Sequence, residues 1–152
     1  MMTENILDRA KAAAGSVAQN ITNLRQNFWD DEKSEIVNQF KEKAEGKVQE
    51  VAEILNEYSA LFKEAGYEIN SLNASLSIPP DISLTFLFLG SKKEEEREMI
   101  ILAAEKSKLA SIILKSLFKA SDYAESIKFG EMKLKEINIT LGLIPGISVT
   151  IS

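Results

Sequence analysis

Catalysis at a protein site needs a nucleophile, a base or a set of metal ligands, and this chain contains neither histidine nor cysteine. Ser-His and Cys-His pairs, imidazole bases, and metal sites built on imidazole or thiolate are therefore excluded. Carboxylates, lysines and hydroxyls remain. The carboxylates cluster twice, at Asp30-Asp31-Glu32-Glu35 and at Glu94-Glu95-Glu96-Glu98. Oxygen ligands of this kind suit Mg²⁺ or Ca²⁺, but neither run has the alternating Asp/Asn and central glycine of an EF-hand loop. Both fall at predicted helix starts, where the helix dipole already favours negative charge. The glycines stand singly, outside any G-x-G or G-K-[ST] phosphate loop. No catalytic residue, cofactor or metal ligand is expected, and the chain reads as a non-enzymatic protein.

The hydroxyls are organised differently. Ser75, Ser77, Ser83, Thr85, Thr140, Ser148 and Thr150 alternate with apolar residues at a period of two. Together with Gly142 they form the polar side of predicted strands. Lysine and glutamate appear on that side only at its far end, at Glu68, Lys133, Lys135 and Glu136. A face of small polar residues lets another surface approach closely, so these hydroxyls are candidate contacts; the plainer reading is a solvated sheet face.

The elements that carry them occur twice. Asn73–Phe86 lies over Asn138–Ile151 without a gap at an offset of 65 residues, pairing Asn73 with Asn138, Pro80 with Pro145 and Thr85 with Thr150. Each copy reads as a helix followed by a β-hairpin. In the first, a heptad-like seam of Val37, Phe40, Ala44, Val48, Val51, Leu55, Tyr58 and Phe62 predicts a helix from about Asp30 to Ala65, stopped by Gly66. In the second, Ser91 and Glu94 have the spacing of a capping box and predict a helix from there to about Phe129. The apolar phase slips once in each first strand, at Asn70-Ser71 and at its counterpart, which predicts a β-bulge in both. Placing Ile78 opposite Ile82 predicts tight three-residue hairpin loops, with the apolar tip residues turned under the helices.

The fold class expected is α+β: a duplicated αββ unit forming a four-stranded antiparallel sheet about a pseudo-two-fold axis. Long helices lie on one face, with an additional N-terminal helix. At 152 residues, 45% apolar and 27% charged, the chain reads as one soluble globular domain, 1–152. Within it, 1–29 is an N-terminal amphipathic helix, 30–89 the first repeat and 91–152 the second.

A net charge of −5 with no basic cluster argues against nucleic acid. The first residues lack a basic region followed by an apolar run, so no signal peptide is expected and a cytoplasmic protein is. A helix of roughly 35 residues is about 50 Å long, whereas a strand of 8 to 10 residues spans about 30 Å. The helices should therefore overhang the sheet and expose apolar seam residues. Ile6, Val17, Ile21, Leu24, Phe28, Val37, Phe40, Met99, Ile100 and Leu102 are the candidate interface. The expected function is assembly or adaptor work through helix-mediated self-association, a homodimer first and then contact with another protein. A carrier or sensor of an apolar small molecule or lipid held between helices and sheet ranks second. A membrane-active protein using apolar hairpin tips ranks third.

Overall fold

The computed structural model describes residues 28–42, 46–76, 80–127 and 130–152. The chain divides into two compact units, Met1–Asp30 and Asp31–Ser152. The first lies almost wholly outside the described residues, and so do the expected N-terminal helix, Ile6, Val17, Ile21 and Leu24; Ser77 is also outside them. At the described end of that unit, the rings of Phe28 and Trp29 sit at a tilt with centroids 6.5 Å apart.

The elements run α1 (Asp30–Glu42), α2 (Lys47–Glu57), α3 (Ser59–Ala65), β1 (Tyr67–Ala74), β2 (Ile82–Phe88), α4 (Glu94–Ala103), α5 (Lys108–Glu125), β3 (Leu134–Leu141) and β4 (Gly146–Ile151). The two long helices expected are thus interrupted. Gly46 has φ +78, a left-handed conformation no α-helix contains, and it separates α1 from α2. The backbone bonds Tyr58 N–H to Ile54 and Phe62 N–H to Tyr58 carry the ladder across the α2–α3 junction, so that break is only a kink. In the second half the chain turns at Ala104–Lys106, and Ser107 starts a fresh helix by accepting the Ala110 N–H at 3.1 Å. The cap of α4 also differs from expectation. Lys93 is the N-cap, its backbone N–H bonding Glu96 at 3.1 Å, while the Ser91 hydroxyl instead donates to Glu125 at 2.7 Å.

The sheet has the order β1-β2-β3-β4 with every neighbour antiparallel. This order corrects the expected two-fold. A two-fold axis would set β1 beside β3 or β2 beside β4, whereas here the second hairpin follows the first by a step across the sheet. The registers of the two hairpins coincide at the 65-residue offset: Asn73 faces Ser83 as Asn138 faces Ser148, and Ile69 faces Phe86 as Leu134 faces Ile151. Each also has one register shift, across Asn70 in β1 and across Lys135 in β3.

Both hairpins are paired four residues away from the expected register. Ile82 faces Ala74 rather than Ile78, and Ile147 faces Ile139 rather than Leu143. An even slip keeps every side chain on its face, so the face assignment survives while the tips become longer loops. The physical consequence is exposure: Leu76 is 87%, Leu143 42% and Ile144 85% exposed, not packed under helices.

The inner face meets the helices in rows. Leu72, Leu84, Ile139 and Ile147 form one, and Ile69, Phe86, Ile137 and Val149 the next. α5 covers β3 and β4, and α3 covers β1. α5 buries Leu109, Ile112, Ile113, Leu114, Leu117 and Phe118, which extend around much of its circumference, as befits a helix enclosed by protein. Each such side chain stabilises the fold by about 1.5–3 kcal/mol relative to exposure. Phe62 packs edge-on against Phe86, centroids 5.5 Å apart, which ties α3 to the sheet.

Candidate functional site

The two acidic runs meet different surroundings. Glu32 is buried and paired with Lys119 of α5 at 3.0 Å, and Glu35 lies 3.7 Å from Lys108. Both pairs fasten α1 to α5. Glu94, Glu95, Glu96 and Glu98 are exposed on the first turns of α4. Among the described residues, no three acidic side chains converge on a point that would hold a metal ion.

One polar cluster, unannounced by any motif, lies partly buried where α4, α5 and β1 meet. The Arg97 guanidinium makes a bidentate pair with Asp122 at 2.8 and 2.9 Å and lies over the Phe118 ring, 4.7 Å from its centroid. Phe118 in turn packs against Tyr67 at 5.8 Å. The Tyr67 hydroxyl is 2.7 Å from Ser121 Oγ and 3.2 Å from the Leu117 carbonyl. Burial pushes the Tyr67 phenol up to about 12, against the opposing effect of the Ser121 bond. The Asp122 hydrogen bonds raise Arg97 above its already high ordinary value, with burial working the other way. A phenol held neutral and a guanidinium held charged and neutralised form a clamp between elements; neither is poised to exchange a proton near neutral pH.

The outer side of the sheet carries the hydroxyls. Ser83, Thr85, Thr140, Ser148 and Thr150 all fall there by register, with Ser83, Thr85 and Thr140 half-buried and Ser148 and Thr150 exposed. Ser75 lies just past the end of β1, exposed, its N–H bonded to the Asp81 carbonyl at 2.8 Å. Gly142 lies just past β3, against Asp81 of the neighbouring tip. The organising residue is Asn138. Its Nδ2 donates to both Ser83 Oγ and Thr85 Oγ1 at 2.9 Å, and Ser83 donates back to Asn138 Oδ1 at 3.3 Å. Asn138 occupies the outer parity between Ile137 and Ile139, and that alternation was the available signal for it. Glu68, Leu87, Glu136 and Thr150 form the row that holds the charges at the far end.

The apolar candidates separate into two sets. Phe40 and Ile100 belong to the chain's own core, at 1% and 5% exposure, and Val37 and Phe28 are half-buried. Met99 and Leu102 are 72% and 65% exposed on the outward side of α4. Met99 and Ile100 also line an open cleft of about 400 Å³ between α3 and α4, with Leu61, Glu64, Glu96 and Ala103. A second open cleft, of about 550 Å³, lies at the end of the sheet remote from the tips and includes Phe88, Leu89, Met132, Leu134 and Ile151. Met132 is 54% exposed at its rim. Lys47 was missed by sequence reasoning: it is 3% exposed, bonded to Glu50 at 3.0 Å and Gln39 at 3.4 Å, and it joins α1 to α2.

No helix among the described residues is long and apolar enough to cross a membrane. No family model, curated protein or solved structure matches this chain.

Proposed function

We propose that this chain is a non-enzymatic assembly protein that acts by self-association and protein–protein contact, as a homodimer or a higher closed oligomer. The observation that carries the reading is α4. Arg97 and Ile100 of that helix turn into the core, while Met99 and Leu102 stand outward, 72% and 65% exposed, beside the α3–α4 cleft. Residues three apart share a helix face, and a helix with apolar residues on opposite sides is packed on both. A closed two-fold contact is the commonest way to cover such a face. The absence of cysteine goes with a cytoplasmic setting, where a chain gains nothing from disulfides. The matching registers support reading the hairpins as copies of one ancestral helix-hairpin unit.

Sedimentation velocity of the full chain against Met99→Lys/Leu102→Lys tests the reading. The wild type is expected to sediment as an oligomer and the variant to shift towards monomer, because inserted charges are desolvated at a contact and harmless in water. Removing residues 1–25 is expected to weaken or redistribute the oligomer as well. Equal sedimentation of wild type and both variants would count against helix-mediated contact.

Two other readings have an observation each. Leu76 and Ile144, 87% and 85% exposed at neighbouring tips, support contact with a partner or membrane; liposome flotation tests it. The sheet-end cleft of about 550 Å³ supports carriage of a small apolar ligand or lipid, which native mass spectrometry would reveal as bound mass.

A further inference from the structure

The two outer strands of the sheet end in different ways. Among the described residues, β1 and β4 each pair on one side only. β1 is defended as natural edges usually are: the extra residue of its bulge, Asn70, sits on the edge strand itself, and Glu68 lies beside it. The matching bulge of the second hairpin falls on Lys135, in β3, so β4 has no bulge of its own. β4 reads Gly-Ile-Ser-Val-Thr-Ile, six residues without a charge or proline.

Its free hydrogen-bonding groups follow from one observed pair. Ser152 and Lys133 exchange both backbone bonds, each at 3.0 Å. Groups alternate along an extended strand, so Thr150 and Ser148 also turn their N–H and C=O towards β3. Ile147, Val149 and Ile151 turn theirs to the open side. Their side chains belong to the inner face, yet they are only half-buried, whereas Ile137 and Ile139 of β3 are fully buried.

From this we infer that β4 pairs antiparallel with β4 of a second copy, extending the four-stranded sheet to eight strands. The occupant is a second copy because the edge is complementary to itself. Centred on Val149, the pairing sets Val149 against Val149 and Ile147 against Ile151 through the free backbone groups. Apolar side chains then meet on the inner face, and Ser148 meets Thr150 on the outer. No charge on β4 opposes its own copy, and the contact closes on a two-fold axis. The inference deepens the self-association reading and rests on it, but it uses a surface separate from α4.

The chain has no cysteine of its own, so single cysteines report the register directly. Val149→Cys places two sulfurs on a hydrogen-bonded pair with Cα atoms about 5.5 Å apart, within disulfide reach. Ser148→Cys places them roughly 8 Å apart along the diagonal, beyond it. Mild oxidation of the full chain is expected to link Val149→Cys into a covalent dimer and leave Ser148→Cys unlinked. Ser148→Lys/Thr150→Lys, at exposed positions, is expected to weaken the dimer on the order of tenfold or more through like charges facing across the pair, with an unchanged circular dichroism spectrum. An oligomer that survives the lysine pair, together with a Val149→Cys variant that stays unlinked, overturns the edge contact and leaves self-association standing. A wild-type monomer at tens of micromolar overturns both.

Discussion

The Tyr67 hydroxyl lies 2.7 Å from Ser121 Oγ, and together they join the first strand of the sheet to its central helix, 54 residues away in sequence. Ser121 donates to the Phe118 carbonyl at 3.0 Å. Its oxygen is therefore left to accept from Tyr67, with the Leu117 carbonyl as a longer alternative acceptor. Tyr67→Phe strips a partner from buried oxygens and is expected to cost about 1–2 kcal/mol in denaturant unfolding. The phenol, pushed up to about 12, adds a pH test. In the unfolded chain a tyrosine loses its proton near pH 10. The unfolded state therefore binds fewer protons than the folded state between roughly pH 10 and 12, and stability falls as pH rises through that window. Stability measured across it should decline more steeply in wild type than in Tyr67→Phe, and the phenolate absorbance step near pH 12 should be missing from the variant.

Arg97 and Asp122 make the second testable link. Asp122→Ala leaves a nearly buried guanidinium without its bidentate acceptor. Because the carboxylate side is over half exposed, water replaces part of the loss, and the expected cost is about 1–3 kcal/mol. Thermal unfolding of Asp122→Ala checks this. Arg97→Met, which keeps contact with Phe118 and removes the charge, should be the milder change.

Gly66 is irreplaceable at the helix-to-strand corner. It has φ +105, and a Cβ built there would run into the Gly90 carbonyl, while its own carbonyl accepts the Leu89 N–H at 2.7 Å. Gly66→Ala combines left-handed strain with a backbone clash and is expected to cost roughly 2–4 kcal/mol in chemical denaturation.

Of these three sites, Gly66 alone was legible in the sequence, as the stop of a helix. Hydrophobic period identified the strands and their faces, because parity survives an even slip in register. The Asn70 bulge was readable as a phase change in the apolar residues. The register itself was not, since alternating residues fit pairings four apart equally well. Helix continuity failed at Gly46, a residue whose left-handed geometry a heptad seam does not reveal, and at Ala104–Ser107, where a polar run hid a new cap. The Tyr67–Ser121 and Arg97–Asp122 links join segments far apart in the chain, and no local spacing encodes them.

On the outer face, Asn138 holds two hydroxyls with one amide nitrogen. Asn138→Ala is expected to cost only about 1 kcal/mol, since the released hydroxyls are partly open to water. If this face is a contact surface, the same change should also weaken association. Measuring unfolding and oligomer mass on the same sample separates the two effects.

The central claim is self-association, and the mass of the native particle tests it most directly. Sedimentation equilibrium of the full chain at tens of micromolar should return at least twice the 16.9 kDa of one chain. A monodisperse 16.9 kDa species would contradict the account.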